Sequence, residues 1–483
     1  MLVLNIPQLY SQTIALSNVP TLTALLPDSH TTLAWLRHDD GMVAAGVAAR
    51  LDSGMTADIA NNPQPTAPTG TIQSTARSTI PANGSSPDER FNIAHTWWEA
   101  VLKNAHISDS VQIPGSGLVA FGSFSFAPQS EAGSTLIIPQ VLVGKRGQRS
   151  WLTLVSPYPA DLTDTNALSF LSSDARALLN AVIPALNAVP TALPLSAIHA
   201  HITREIPPKK EWKEQVERVR ASIARGEAQK VVLAREVELS SPTDLDFRAI
   251  VHTLNRNYRN TWVFAIDGMV GATPEMLAST LSECGEATDY VATRVLAGTL
   301  PTASSSHALS SPATDAALIS SRKDCEEHRI AAESVVQVLR PLATLRVSDP
   351  FVIHLPNVLH LATDVHATLH AGISIFDVIA ALHPTAALGG SPRGAALAII
   401  SRTEPFDRDR YGAPIGWISS SGAAQWCVAL RCARLTSART ARAWAGGGIM
   451  LDSQPELELS ETSAKLQPVL EAFGAAASHV PLR

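Results

Sequence analysis

Cysteine is scarce: four in 483 residues (Cys284, Cys325, Cys427 and Cys432), with no CxxC spacing among them. That excludes a disulfide framework and a small zinc module, and it predicts a reducing compartment. Positive charge is short as well. The formal net charge of −6 argues against general nucleic-acid binding, which wants a basic surface. A dianion can still be bound where a pocket is locally basic. No stretch approaches the roughly 18 uninterrupted apolar residues of a membrane span. The start, MLVLNIPQLYSQT, lacks the basic region and long apolar core of a secretion signal. No Gly-x-Gly-x-x-Gly follows a strand-like run, and no internal repeat is visible. What is present is 45% apolar residues, enough for a large core. The sequence predicts a cytoplasmic globular protein, of two or three ordinary domains or one large α/β domain.

Residues 53–90 are dominated by Ser, Thr, Pro, Ala, Asn and Gly. Such a segment cannot offset its ordering entropy by burial, and it reads as a mobile surface insertion. PTASSSHALSSPATDA (301–316) has the same character and reads as a long loop. FGSFSF (121–126), TLIIPQVLVGKRG (135–147) and SWLTLVS (150–156) predict strands by β-branched and aromatic content. The alanine-rich 173–197 predicts a helix and then a proline-punctuated connection. In EWKEQVERVRASIARGEAQ (211–229), Trp212, Val216, Val219 and Ile223 recur at helical spacing, with Gly226 near the stop. KVVLAREVEL (230–239) is a strand, FRAIVHTLNRN (247–257) a helix, and TWVFAIDGMVGATPE (261–275) a hairpin ending at a glutamate. DCEEHRIAAESVVQVLRPL (324–342) is a second long helix, stopped by Pro341. Long strands mixed with helices, without regular βα alternation, favour an α+β or layered α/β fold.

The closing motif, AGGGIMLDSQPELELSETSAK (445–465), joins a glycine turn to acids and a lysine. Ser453-x-x-Glu456 suggests a capping box opening a helix. That helix would set Glu458, Glu461 and Lys465 on one face, able to hold a hard cation and to meet an anion. A surface helix with an i,i+4 ion pair is the competing reading. Gly446, Gly447 and Gly448 would let main-chain N–H groups approach a carboxylate. Lys230, at the head of an apolar strand, is either a solvated strand-edge lysine or a pocket base, since desolvation loosens a lysine's hold on its proton. Glu275, after a Gly-x-x-Pro turn, is either a surface acid or one that burial keeps protonated. In VLAGTLP (295–301), Gly298 permits close backbone approach and Thr299 offers a hydroxyl and an N–H; an ordinary glycine turn is the alternative.

These elements occur in one order with HPTAALGGSPRGAA (383–396), EPFDRDRYGAPIGW (404–417) and ALRCARL (429–435). Together they resemble the chorismate-utilising enzymes: the isochorismate, salicylate, anthranilate and aminodeoxychorismate synthases. The likeness is strong over roughly 205–475 and weak over 95–200. It implies a large α/β (α+β) fold, two β-sheets enclosed by helices around a central cleft. Its amino-terminal part would be 1–204, carrying the insertion, and its catalytic chorismate-binding domain 205–478.

By the same resemblance Lys230 is the general base for water, where ammonia-using members carry glutamine, and Glu275 is the general acid. Ala297 stands where aminodeoxychorismate synthases carry a nucleophilic lysine, so water is left as nucleophile. Magnesium would be held by Glu327 and Glu461, with Glu458 direct or through water, while Glu326 faces solvent. Arg431 and Lys465 would bind the substrate's carboxylates, with Gly298, Thr299, Gly446 and Gly448 in contact with it. A buried structural arginine is the other reading at 431. His383, in the His-Pro-Thr form typical of isochorismate synthases, would sit near a ring hydroxyl or else be a core histidine. Two departures stand out: Gly412 and Ala413 are exchanged relative to the usual Tyr-Ala-Gly-Pro, and Gln425 replaces glutamate. The resemblance implies an isochorismate synthase acting on chorismate with Mg2+ and no obligatory protein partner. A salicylate synthase and a catalytically inert binding partner are the alternatives.

Overall fold

The computed structural model describes residues 6–53 except 18, 20, 28 and 30, then 77–80, 89–159, 168–183, 195–282, 285–301, 312–355 and 358–475. The proposed insertion at 53–90 falls largely outside them, as does most of the connection after residue 183. Among the described residues, two large sheets carry thirteen and eleven strands, nearly all antiparallel. Each sheet is shared by the two halves of the chain. In the first, Trp262–Ile266 pairs with Leu33–Arg37, placing Val263 opposite Leu36. In the second, Pro414–Ser419 pairs with Val119–Ser123, placing Ile415 opposite Ser123. The division at 204 falls inside the strand His201–Ile206, which pairs with Lys230–Ser240.

Strands bury alternate side chains on opposite faces, so each sheet needs cover on both sides. The clusters supply it. Trp35, Phe264 and Trp444 of the first sheet meet Trp417, Met276 and Cys427 of the second between the sheets. On the outer face of the first, Val237, Ala443 and Val270 pack under Ile250 and Leu466 from helices. On that of the second, Trp426 and Val295 pack under Trp98, Val335 and Ile379. The result is the layered α/β arrangement expected, helices outside two sheets. No helix among the described residues is long and apolar enough to cross a membrane.

Most predicted elements form where the periodicity places them. Phe247–Asn257 is a helix capped by Asp246, and Trp262–Ile266 with Met269–Thr273 forms the hairpin. Gly226, at φ +79°, follows the end of Lys209–Ala224. Two readings need correction. The stretch 301–316 is not loop throughout, because a helix Pro312–Ser320 begins inside it. Proline at the first helical position followed by alanine and leucine is a helix start, masked in sequence by the serine tract before it. Nor does Ser453 cap the last helix. Pro455–Ala472 starts after Gln454, with no side-chain cap, and the Ser453 hydroxyl instead accepts the Met450 N–H at 3.0 Å.

Candidate active site

Strand alternation builds one wall of a cleft. Lys230–Ser240 pairs with Thr440–Ile449 so that Val232 lies opposite Gly448 and Ala234 opposite Gly446. Val232, Trp444, Gly446 and Gly448 thus share one face. The second sheet supplies Leu296, Ala297 and His360, the turn crossing from the first sheet to the second supplies Glu275, and helices add Glu327 and Lys465. Together they line an open cleft of about 680 Å³, the solvent at its mouth included.

Lys230 Nζ lies 2.8 Å from Glu327 Oε1, an ion-pair distance at an angle too poor for a hydrogen bond. The lysine is fully buried and is not on the cleft wall; Glu327 is. Glycine at 448 makes this contact possible: a Cβ there would fall 2.3 Å from Glu327 Oε1 and 2.8 Å from Lys230 Cε. Glu327 is aimed by its neighbour. His328 is buried, its Nδ1 3.2 Å from the Ala297 carbonyl and its Nε2 2.8 Å from the Thr363 hydroxyl, which clamps the helix Arg322–Leu339 to the second sheet. Gly298, at φ +75°, lets the helix start come close, since a Cβ would sit 2.8 Å from the Asp324 carbonyl. Glu326 is exposed and paired with Arg329.

Glu275 is buried in the wall, and desolvation pushes its carboxyl up to about 7, although Lys465 and Lys230 both pull it down. At neutral pH a substantial fraction therefore carries a proton to donate. The Thr273 hydroxyl accepts the Glu275 N–H at 3.3 Å and shapes the turn that presents the acid.

The carboxyl-terminal helix brings Glu458, Glu461 and Lys465 together as its spacing required. Lys465 Nζ donates to Glu461 Oε1 at 2.7 Å and to the Gly446 carbonyl at 3.1 Å. Burial lowers the Lys465 pKa, but Glu461, Glu327 and Glu458 outweigh it and the net shift is upward. Three carboxylates thus act on Lys465 and favour its charged form. Glycines open both faces of the strand to them: Glu327 lies over Gly448, and Glu458 and Glu461 lie near Gly447. Among the described residues no three acidic, histidine or cysteine side chains are close enough to enclose a metal alone. An all-oxygen set on a substrate-sized cleft still fits magnesium, which keeps waters and shares ligands with its substrate.

Arg431 reaches the cleft from a bend rather than from within a strand, at φ +47° between Ala424–Val428 and Cys432–Leu435. Desolvation lowers its pKa to about 10, and it makes no ion pair among the described residues. That leaves a charged fork facing a small-molecule space. Thr299 is opposite His360 in the sheet, and its side chain lies outside the described ones. His383 is not brought to the cleft. Its Nε2 is 2.9 Å from the Phe126 carbonyl and its ring packs edge-on to Phe126 and Phe91. Burial, with Arg90 nearby, drops its pKa to about 3, so it is a neutral core histidine.

Three wall residues escaped the motif reading. Trp444 continues the two-residue period of Gly446 and Gly448, a signal that was available. Tyr411 stacks on it at 6.1 Å between centroids, and its hydroxyl occupies room left by Gly446. His360 had no sequence signal, because only the pairing with Thr299 places it. Burial, then Arg431 and Lys465, push its pKa well down, so it stays neutral beside them.

A cleft between two sheets, lined by a partly protonated acid, a lysine and an arginine with no ion pair among the described residues, defines an enzyme site for a small anion. The family model described as "Chorismate binding enzyme" matches residues 68–474, and this chain belongs to that family. Isochorismate synthase MenF of Bacillus subtilis is 30% identical over 423 residues, covering 80% of this chain and 82% of the relative. Isochorismate synthase DhbC of the same organism is 33% identical over 290 residues, 57% of this chain and 71% of the relative. The solved structure of MenF, the menaquinone-specific isochorismate synthase from Escherichia coli, superposes with a TM-score of 0.69. It covers 97% of this chain and 95% of that one, at 24% identity, and it bears on the fold alone.

Proposed function

We propose that this chain is a magnesium-dependent isochorismate synthase, adding water at C2 of chorismate with loss of the C4 hydroxyl. The observation that carries the reading is Glu275, a buried cleft carboxyl with a pKa of about 7 that feels both Lys230 and Lys465. An acid still partly protonated at neutral pH is what a departing hydroxyl requires. Once Glu327 turns from it and its ammonium proton has passed to solvent, the Lys230 amine takes a proton from the attacking water. The ring double bonds shift, the C4–oxygen bond breaks, and Glu275 protonates the leaving oxygen. One proton is taken and one given, so a single transfer back resets the pair. Arg431 and Lys465 orient the carboxylates, and the Gly446 and Gly448 backbone lies beneath the ring. Ala297, in the wall, offers no amine to compete with water. Bound magnesium, held by Glu327 and Glu461 with Glu458 direct or through water, would neutralise the ring carboxylate. The isochorismate-synthase relatives and the low cysteine count support a cytoplasmic enzyme working on this small molecule by itself.

The test incubates purified protein with chorismate and magnesium, with and without chelator, and resolves products chromatographically against standards. Isochorismate without pyruvate, lost on chelation and restored by magnesium, is the expected result. Salicylate with stoichiometric pyruvate would overturn it in favour of a salicylate synthase. Unchanged chorismate would leave a binding protein.

A further inference from the structure

The segment EPFDRDR (404–410) lies outside the reaction just described, yet two of its charged side chains are almost wholly buried against the strand that carries Lys230. That strand is paired along one edge with Thr440–Ile449 throughout. Its other edge is covered in two pieces. The two-residue strand Gly390–Ser391 covers Lys230 and Val231, and the Gly389 carbonyl takes the Val232 N–H at 3.0 Å. His201–Ile206 begins pairing only at Glu236. Between them the Val232 carbonyl and the Ala234 N–H point the same way and have no strand to meet. Buried backbone groups left so would lose their water with no partner in return.

Glu404 and Arg408 fill that gap. Glu404 Oε1 accepts the Ala234 N–H at 2.7 Å, and Arg408 Nη2 donates to the Val232 carbonyl at 2.7 Å. The two side chains are joined by Arg408 Nε to Glu404 Oε2 at 2.8 Å, and each is about 3% exposed or less. The remaining arm, Arg408 Nη1, donates to the Leu388 carbonyl at 2.9 Å, while the guanidinium lies 4.5 Å over the Phe126 ring. Val232 and Leu388 both line the cleft, and Lys230 is two residues from Val232.

We propose that Glu404 and Arg408 are positioning residues: a side-chain splice in the edge of the Lys230 strand that sets the base and the Leu388 loop relative to the substrate. It rests on the functional reading above and deepens it. The fork geometry is essential. Arginine spans two carbonyls and a carboxylate at fixed angles, whereas lysine keeps the charge but satisfies one direction at a time. The splice touches none of Arg431, Lys465 or the acids around Lys465, so its loss should misplace the base without removing the groups that hold the anion.

The experiment compares Arg408→Lys and Glu404→Gln with Arg50→Lys, which disturbs a partly buried pair with Asp267, a carboxylate shared with Arg410 of the same segment rather than with the Lys230 strand. Arg408→Lys should lower kcat by about 10- to 100-fold with KM within about threefold, the signature of displaced chemistry rather than lost binding. Glu404→Gln should shift kcat the same way by less, and Arg50→Lys, at a comparable fall in Tm, should leave kcat near wild type. Hydrogen exchange gives a readout independent of turnover: amides of 232–236 and 386–390 should exchange faster in Arg408→Lys and Glu404→Gln only. Wild-type protein that makes no isochorismate would defeat the functional reading, while the exchange pattern would still decide the splice. Unchanged exchange at those amides, or a kcat loss matched by Arg50→Lys, would overturn it.

Discussion

Replacing Glu275 with glutamine removes one titrating group and keeps its shape, which isolates the consequence of burying that acid. Its carboxyl titrates at about 7 in the folded protein against 4.5 for an ordinary glutamate. The folded value is the higher one, so between pH 4.5 and 7 the native state holds a proton that the unfolded chain has lost. Stability from this group is fully present below 4.5 and disappears as pH rises through 7. From these two values the loss between pH 5 and pH 8 is about 2.5 kcal/mol. For 483 residues, at about 2.1 cal/mol/K of unfolding entropy each, that corresponds to about 2–3 °C in Tm. Calorimetric scans of wild type and Glu275→Gln across that range should therefore diverge, the variant gaining on the wild type as pH rises. Activity should follow the same group from the other side. Wild-type kcat/KM should decline above about pH 7 as the acid ionises, and the variant should lose about 10²- to 10⁴-fold. Parallel Tm profiles within about half a degree, with a full-strength glutamine variant, would refute both the burial argument and the assignment of the acid.

Gly448→Ala places a methyl where Glu327 and Lys230 now lie, and should cut kcat by about 100-fold or more while circular dichroism is preserved. Lys230→Ala should lower isochorismate formation by about 10²- to 10⁴-fold, and full turnover with water would show that another group is the base. His383→Gln should leave kcat and KM within about threefold but lower stability by about 1–3 kcal/mol in denaturant melts, because the Phe126 carbonyl loses a well-aligned partner. A large KM effect with unchanged stability would place that histidine at the substrate after all.

Much of this was legible in sequence because its signals are local. A helix places Glu458, Glu461 and Lys465 on one side by spacing alone, and a strand does the same for Gly446 and Gly448. The motif order then picked out Glu275, whose elevated pKa is a property of burial that no local pattern contains. What stayed hidden depends on pairing between distant segments. His360 enters the wall only through its register with Thr299, and Arg408 acquires a role only because two other strands stop short beside it. His383 shows the opposite failure: a residue inside a telling motif can serve the core, its ring nitrogen taken up by a carbonyl far away in sequence. Lys230 falls between the two, since its strand was evident but its concealment behind Glu327 was not.

The pairing of Lys230–Ser240 with Thr440–Ile449 also dictates when in the life of the molecule the cleft can exist. The partner strand comes far later in the chain, and the helix bearing Lys465 follows it. During synthesis the Lys230 strand leaves the ribosome long before the strand that completes its face. Until then its apolar run waits as an open edge of the kind chaperones recognise. A chain released early would carry Lys230 and Glu275 but no glycine floor, no Lys465 and no Glu461. The cleft therefore cannot assemble before residues 440–465 have been made, and a chain abandoned earlier lacks one of its walls.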